Sequence, residues 1–342
     1  MRVTLGDVCE KGASNIKQSD IANMTGEYPI YGAAGYIGNV DFYHQEKPYV
    51  AIVKDGAGIG RTTLHPAKSS VIGTMQYLLP KDNVLPEYLC YVVRHMHLEK
   101  YFTGATIPHI YFRDYKNEKF NLDSLDKQAE IIEILGKAES IILKRRKELA
   151  ELDNLIKARF VEMFGIYPAN QMGWETGKIR DTVADVRYGS SRPAVAGGKY
   201  PYLRMNNITY GGELDLSDVK RIDVPENELD KCTVRRGDVL FNRTNSKELV
   251  GKTCVYDRDE MMVLAGFVIR VRVNDRVLPE FLSAFLNTDF SKKTLSEMCK
   301  AAIGQANINA QEMQNIGLYL PPLELQRQFV QFKKQIDKPS TN

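Results

Sequence analysis

The chain has 342 residues, of which 43% are hydrophobic and 26% charged, and its formal net charge is +3. This composition is typical of a globular protein with about two domains, and the charge is too small to indicate a partner by itself. The five cysteines form no Cys-x-x-Cys pair, and no stretch approaches 18 apolar residues, which argues against a disulfide framework, a zinc site and a transmembrane helix. Because a signal peptide is absent as well, we expect a cytoplasmic protein with no membrane partner.

The first predicted domain, residues 1–122, mixes strand and helix patterns. Residues 49–53 are β-branched, aromatic or small and predict a buried strand, which the glycines of residues 55–60 break as a loop. A further strand is predicted over Val71–Leu79 and a helix over Glu87–Lys100. The segment lacks the regular strand–helix alternation of a doubly wound sheet, so it does not indicate a parallel α/β fold.

Residues 123–165 predict one long helix. Between Ser124 and Met163 there is no proline and a single glycine. About 40 residues in a helix give a rod of roughly 60 Å. A helix of this length is not stable alone and needs another helix to pack against. One line of residues, the seam, is spaced alternately by three and four positions, as in the packing face of a coiled coil. The seam positions are Leu135, Ala138, Ile142, Arg145, Leu149, Leu152 and Ile156.

The second predicted domain, residues 166–320, behaves like the first. Strands are predicted over Asp238–Phe241 and Phe267–Val273, and a helix over Pro279–Leu286. Residues 321–342 predict a second helix, the natural partner of the long one, which Pro339 stops after about four turns.

Three short motifs occur twice, in the same order and separated by roughly 200 residues. A period of this length predicts two similar domains on one chain. The paired segments are Leu85–Leu89 with Leu278–Leu282, Gly104–Ile110 with Gly304–Asn309, and Leu125–Gln128 with Leu323–Gln326.

Several local motifs resemble those of one protein family. Val3–Val8 resembles the opening of a target recognition domain, Gly237–Ser246 gives the most specific match, and Leu320–Gln326 resembles the entry to a conserved helix. Over essentially its whole length the chain is similar to the specificity subunit of type I restriction–modification enzymes. The family's C-terminal helix is normally comparable in length to the central helix, and here it is shorter.

The resemblance implies an α+β fold with two similar mixed α/β target recognition domains, separated by a long coiled-coil-forming helix and followed by a short second helix. It also implies sequence-specific binding of double-stranded DNA, with each domain reading one half of a bipartite target. The helices would set the spacer and dock the modification (methyltransferase) subunits, which assemble further with restriction subunits. Catalysis and cofactors are expected on those partners, S-adenosylmethionine and ATP with Mg²⁺, and neither a catalytic nor a metal site is expected in this chain.

Candidate DNA contacts follow from residue type in the predicted loops. Arginine reads guanine, asparagine or glutamine reads adenine, and lysine, serine and threonine hold phosphates. The alternative for each residue is a solvated charge or a turn-forming side chain. The candidates are Lys54, Arg61, Thr62 and His109 in the first domain, and Arg187, Ser190, Arg192, Arg204, Asn206, Asn207, Arg243, Thr244, Asn245, Lys247 and Gln305 in the second.

Two other functions are compatible with parts of the sequence. Gly251-Lys252-Thr253 resembles the end of a nucleotide-binding P-loop, but Ser246 stands where that loop requires glycine, so a turn between strands is the simpler interpretation. The long helix alone is also compatible with a coiled-coil scaffold that has no DNA role. We further hypothesise that the short C-terminal helix weakens the hold on partner subunits, or that two chains pair through their central helices.

Overall fold

The computed structural model describes residues 1–104, 107–246, 248–299 and 306–336. The chain divides into two compact units, Met1–Arg145 and Arg146–Asn342. The division falls inside a continuous helix, so the predicted domain boundaries at residues 122 and 165 stay predictions.

Within the described residues, the first unit combines a four-stranded, a three-stranded and a two-stranded sheet with three short helices and the start of one long helix. Its strands are β1 (Arg2–Thr4), β2 (Cys9–Ala13), β3 (Tyr28–Gly32), β4 (Gly35–Val40), β5 (Tyr49–Val53), β6 (Thr62–His65), β7 (Ser70–Val71), β8 (Met75–Pro80) and β9 (Lys119–Asn121). Its helices are α1 (Leu5–Val8), α2 (Pro86–His95), α3 (Phe112–Tyr115) and α4 (Leu125–Phe164), which continues into the second unit, with 3₁₀ turns at Gln18–Ile21 and Leu98–Tyr101.

The predicted strand at residues 49–53 is β5, the best buried strand of this unit. It lies between β8 and β6 in an antiparallel sheet of order β2-β8-β5-β6. Val50 and Ile52 pack into the core that includes α2, whereas Tyr49, Ala51 and Val53 face the core of the second sheet, β4-β3-β7. Both faces are therefore covered, which explains the uninterrupted apolar run.

Two predicted elements of this unit are broken where the chain turns. The predicted strand Val71–Leu79 is split into β7 and β8, because Thr74 turns to accept hydrogen bonds from the N–H groups of Lys54 and Asp55. The predicted helix Glu87–Lys100 ends as α2 at His95, since His97 adopts a left-handed conformation with φ of 51° and a 3₁₀ turn follows.

The second unit contains the corresponding elements. Its strands are β10 (Glu175–Lys178), β11 (Val183–Tyr188), β12 (Tyr200–Leu203), β13 (Lys220–Ile222), β14 (Thr233–Val234), β15 (Val239–Asn242), β16 (Thr244–Asn245), β17 (Thr253–Val255), β18 (Met262–Leu264), β19 (Val268–Val273), β20 (Ala306–Asn307) and β21 (Gly317–Leu320). Its helices are α5 (Glu226–Cys232), α6 (Pro279–Leu286), α7 (Asp289–Met298), α8 (Ala310–Gln314) and α9 (Leu323–Ile336), with 3₁₀ turns at Ile179–Thr182 and Met205–Asn207.

The two units share one topology. The antiparallel order β2-β8-β5-β6 of the first returns as β11-β19-β15-β17 in the second. In the other sheet, β3 pairs antiparallel with β4 and parallel with β7, and β12 likewise pairs antiparallel with β13 and parallel with β18. The predicted duplication of a mixed α/β unit, with a long helix between the copies, is therefore confirmed.

A buried glutamine closes each unit in the same way. Gln128, in the first turn of α4, accepts a hydrogen bond from the Leu85 N–H at 2.8 Å and donates to the carbonyls of Asn83 and Asp123. Gln326, in the first turn of α9, accepts from the Leu278 N–H at 2.8 Å. It also donates to two carbonyls, those of Arg276 and Pro321. Both side chains are fully buried, so each repeated glutamine joins the start of one helix to the start of another.

Helices α4 and α9 meet within the second unit. The Phe329 ring of α9 lies 5.3 Å from that of Phe160 and 5.6 Å from that of Phe164, at the C-terminal end of α4. Earlier seam positions remain open, with Ile142 51% and Leu149 62% exposed. Within the part of the chain that the structure describes, α9 thus covers only the last turns of α4.

Replacing Gln128 or Gln326 with alanine is expected to lower the free energy of unfolding by roughly 3 kcal/mol. Each change removes the partner of one N–H and of two carbonyls that are partly or fully buried. Urea denaturation followed by circular dichroism measures the loss. Gln331→Ala, at an exposed site on α9, is the matched control. A loss for both buried variants no larger than that of the control contradicts the structural role.

Candidate nucleic-acid interface

The same turn carries candidate DNA contacts in both units. In the first, β5 and β6 are closed by bonds from the Val53 N–H to the Arg61 carbonyl and from the Gly60 N–H to the Val53 carbonyl. In the second, the Asn242 N–H bonds the Lys252 carbonyl and the Gly251 N–H bonds the Asn242 carbonyl, both at 2.8 Å. We name these two segments, residues 54–61 and 243–252, the paired turns.

Glycine is required at the base of each paired turn. Gly60 has φ of +82° and Gly251 has φ of +76°, backbone conformations that residues with a side chain rarely adopt. A Cβ at Gly60 would also lie 2.8 Å from the Glu99 nitrogen, and one at Gly251 would lie 2.6 Å from Leu295 Cδ1. The glycines thus fix both the backbone and its close approach to a neighbouring segment.

Lys54 and Arg243 occupy equivalent positions at the start of the paired turns. The Lys54 carbonyl accepts a hydrogen bond from the Ile110 N–H, and the Arg243 carbonyl accepts one from the Ile308 N–H, both at 2.9 Å. Each paired turn is therefore tied to a later segment of its unit and presents a cation at the same place.

The guanidinium of Arg243 lies over an aromatic ring rather than beside an acid. Its central carbon is 4.9 Å from the centre of the Tyr188 ring, within cation–π range. The Tyr188 hydroxyl accepts a hydrogen bond from the Ala310 N–H at 2.9 Å, which fixes the ring. Among the described residues, Arg243 Nε has no hydrogen-bond partner, and neither does Nδ2 of the adjacent, buried Asn242.

Three other candidate arginines of the second unit are paired with carboxylates. Each pair has at least one largely exposed side chain, although Asp185 and Arg204 are partly buried. An exposed ion pair contributes about 0–1 kcal/mol and exchanges partners at little cost. The shortest contacts are Arg187 Nε to Asp185 Oδ1 at 2.9 Å, Arg192 Nη2 to Glu228 Oε1 at 2.8 Å, and Arg204 Nη2 to Asp218 Oδ2 at 2.8 Å.

The small polar candidates divide into exposed and structural residues. Asn206 is exposed, Ser190 and Asn245 are half-buried, and Thr244 is buried with its hydroxyl bonded to Asn307. Asn207 is a correction to the predicted set. Its buried amide accepts from the Arg204 N–H and donates to the carbonyls of Asp215 and Asp218, so it shapes the loop and has no donor left for DNA.

In the first unit, two candidates share one carboxylate. Asp55 Oδ1 is 2.7 Å from Nδ1 of His109, and Asp55 Oδ2 is 3.9 Å from Nζ of Lys54. Arg61 is exposed and donates from Nη1 to the Ala33 carbonyl at 2.8 Å. Thr62 is a second correction, because it is buried in β6 and its hydroxyl bonds the Gly60 carbonyl, so it is not available to DNA.

Two predicted contacts, Lys247 and Gln305, lie outside the described residues. Lys247 falls within the range of the second paired turn, and Gln305 immediately precedes β20 in the sequence. Their assignment stays a prediction.

The P-loop-like motif forms a structural turn. Nζ of Lys252 donates to the Met205 carbonyl at 2.8 Å, and burial lowers the pKa of this lysine. The Thr253 hydroxyl bonds the Gly251 carbonyl at 3.0 Å. Lys252 is therefore turned into the protein, which leaves it without the freedom that a phosphate-binding lysine needs.

Two residues that shape this region, Tyr188 and Lys292, carry no signal in the local sequence. The Tyr188 ring lies under Arg243, which is 55 positions away along the chain. Lys292 of α7 donates to the Gly251 carbonyl and lies 5.0 Å above the exposed Tyr210 ring. Burial, followed by the charges of Lys252 and Lys157, lowers the pKa of Lys292 to about 8.

The described residues contain no group of three His, Cys, Asp or Glu side chains placed to hold a metal ion. No helix among them has the length and apolar character that crossing a membrane requires.

The repeated unit matches a known domain twice. The type I restriction modification DNA specificity domain matches residues 1–154 and again residues 172–342. The chain belongs to this family. The two matches agree with the duplicated topology, and the family's description concerns DNA specificity rather than a catalytic step.

Several members of the family are similar to this chain in sequence or structure. The type I restriction enzyme EcoKI specificity subunit of Escherichia coli strain K12 is 25% identical over 199 residues, which are 57% of this chain and 42% of that protein. The MjaVIII specificity subunit of Methanocaldococcus jannaschii is 25% identical over 314 residues, 84% of this chain and 72% of the relative. A crystal structure of the S subunit of a type I system from M. genitalium shares the fold, with a TM-score of 0.57 and 14% identity over 98% of this chain and 89% of the other. The chain thus spans under half the length of the first relative.

The first unit contains a buried titratable group, His65, at the C-terminal end of β6. The His65 ring stacks on Tyr49 and lies 4.4 Å from that of Tyr31, in the strand that leads to Ala33, and burial lowers the His65 pKa from 6.5 to about 4. The unfolded chain takes up this proton near pH 6.5 and the folded chain only near pH 4. His65 therefore reduces stability as the pH falls through that window.

We expect His65→Gln to make unfolding less dependent on pH between about 6.5 and 4, by up to about 1.4 kcal/mol per pH unit. Urea denaturation of both proteins at several pH values gives the two slopes. His95→Gln, on the exposed end of α2, is the control. Equal slopes for wild type and His65→Gln would sink the assignment.

Proposed function

We propose that this chain is the DNA-reading specificity subunit of a type I restriction–modification complex, in which each unit reads one half of a bipartite target. The observation that carries the proposal is the repetition of the paired turn, with a cation at the same position in each unit. A reader of a split target needs two similar surfaces on one chain. Family membership and the names of its relatives support the same function.

Arg243 is the best placed base-reading residue of the second unit. Its guanidinium has no carboxylate partner among the described residues, and it packs over the Tyr188 ring. Arginine contacts guanine through two parallel hydrogen bonds, and packing on an aromatic ring restricts the guanidinium for such a contact.

Phosphate contacts are assigned to the acid-paired arginines. Arg187, Arg192 and Arg204 lie at the surface and can exchange a carboxylate for a phosphate, since both groups accept the same forked hydrogen bonds. These contacts would position the unit on DNA without selecting a sequence.

Partner subunits complete the proposed complex. We assign docking of the modification subunits to the helices, where α4 leaves seam residues such as Ile142 and Leu149 exposed. Methyl transfer from S-adenosylmethionine and ATP-dependent restriction with Mg²⁺ are assigned to the modification and restriction subunits. The P-loop alternative is disfavoured by the inward bond of Lys252, and the scaffold alternative is separated by the following test.

Arg243→Ala is expected to change or abolish the half of the methylated motif that the second unit reads, because a bidentate base contact discriminates by about 1–3 kcal/mol. The chain is expressed with its modification subunits in a methylation-free strain, and modified adenines are mapped by long-read sequencing. The wild-type chain should give a split motif.

Lys293→Ala, an exposed site on α7 paired with Glu297, is the matched control and should leave the motif unchanged. Methylation by the wild-type complex with no split motif contradicts the proposed function. A wild-type motif that survives intact in Arg243→Ala contradicts the role of this arginine alone.

Arg192→Ala should weaken binding to all DNA sequences alike and leave the methylated motif unchanged. Loss of one phosphate contact should also reduce the slope of log affinity against log salt by about 0.9. Fluorescence anisotropy of the assembled methyltransferase with labelled duplex, from low to high salt, gives both values. An unchanged slope argues against a phosphate contact at Arg192.

A further inference from the structure

A second cation recurs in both paired turns, and it bonds a main-chain carbonyl of a neighbouring loop. Arg61 of the first unit and Lys252 of the second follow the equivalent glycines Gly60 and Gly251. Both are joined through their carbonyls to the same position of the preceding strand, since the Arg61 carbonyl accepts from the Val53 N–H and the Lys252 carbonyl from the Asn242 N–H. The two residues are therefore equivalent in the fold, although one is arginine and the other lysine.

Their side chains bond equivalent carbonyls. Arg61 donates to Ala33 and Lys252 to Met205, each at 2.8 Å. Ala33 lies two residues beyond Tyr31, the last residue that β3 pairs in parallel with β7. Met205 likewise lies two residues beyond the last parallel pair between β12 and β18. The same interaction thus occurs twice in one chain, at sites that share little local sequence.

The interaction joins the paired turn, which presents Lys54 or Arg243, to the loop that follows the parallel strand. In the second unit that loop also carries proposed DNA contacts, Arg204 and Asn206. In the first unit it is the short turn between β3 and β4. A lysine or arginine that bonds a main-chain carbonyl fixes the distance between these loops without contacting the ligand itself.

The surroundings of Lys252 support an inward role. Lys252 is only 7% exposed, so its ammonium group lacks the open surface that direct contact with a nucleic acid needs. Lys292 bonds the Gly251 carbonyl from the other side at 3.2 Å and so holds the same turn. Burial of an ammonium group costs free energy unless its hydrogen bonds are made, so loss of the bond to Met205 is costly.

We propose that Arg61 and Lys252 are positioning residues that hold the paired turn of their own unit at a fixed distance from the loop after the parallel strand, so that each controls discrimination in one half of the target. This inference rests on the proposed function for its consequence on DNA, and on the geometry alone for its effect on the loops. Arg61 and Lys252 therefore act through Ala33 and Met205 rather than as contacts to DNA.

The first measurement concerns the loops alone. Hydrogen exchange of the chain, followed by mass spectrometry, compares Lys252→Met and Arg61→Met with wild type. We expect Lys252→Met to speed exchange in residues 204–210 and to leave residues 33–36 unchanged, and Arg61→Met to do the reverse. Lys252→Arg and Arg61→Lys keep a donor and should restore slow exchange. Unchanged exchange in both methionine variants overturns the proposal, whether or not the chain binds DNA.

The second measurement concerns discrimination. The assembled methyltransferase binds labelled duplexes that carry the mapped target or single-base changes in either half. Lys252→Met should lower discrimination by about tenfold in one half only, and Arg61→Met in the other half only. Lys293→Met is the matched control, and thermal unfolding confirms that each variant is folded. An equal loss in both halves, or none, overturns the role in recognition.

A second variant is needed because a substitution at a buried residue can prevent folding. Lys252 is buried, so Lys252→Met tests the proposal only if the protein still folds, whereas Arg61 is exposed and tolerates substitution. If Lys252→Met does not fold, Arg61→Met and hydrogen exchange in residues 33–36 decide the question. A wild-type complex without any split target contradicts the proposed function, while the exchange result still decides the positioning role.

Discussion

A single buried amide closes each unit, and the rest of the unit depends on it. Gln128 and Gln326 are fully buried, and each satisfies the leading N–H of a helix together with two carbonyls. Apolar packing cannot satisfy these groups, and leaving them unpaired costs more than one hydrogen bond contributes. The start of α4 is therefore fixed against the start of α2, and the start of α9 against the start of α6.

The paired turns divide their cations between two tasks. In each turn the first cation, Lys54 or Arg243, is the candidate DNA contact, and the second, Arg61 or Lys252, bonds a carbonyl of the neighbouring loop. A loop that binds DNA must be both charged and rigid, and one side chain rarely supplies both properties. The duplication shows that this arrangement belongs to the fold rather than to one local sequence, because it recurs with different residues.

Sequence alone predicted the features that depend on neighbouring residues. The strand at residues 49–53, the helix α6 and the long helix α4 follow from local apolar patterns, and the repeated motifs predicted two similar units. Features set by distant contacts were missed. Arg270 in the alternating strand β19 is buried against Asp185, 85 positions away, and Arg192 is paired with Glu228, 36 positions away. Whether an arginine is free, paired or buried is decided by such contacts, so the candidate list contained both surface and structural residues.

The glutamine joints and the paired turns use separate residues, and this separation has an evolutionary consequence. The joint needs only Gln326 and the main chain of Leu278, Arg276 and Pro321, none of which belongs to a turn that carries proposed DNA contacts. Substitutions in the turns that spare Gly60, Gly251 and the buried Lys252 therefore leave the joint intact. Genetic exchange of a whole unit between related genes would also leave a compatible junction, because both copies close on equivalent main-chain groups. The architecture can thus stay constant while whole units are exchanged.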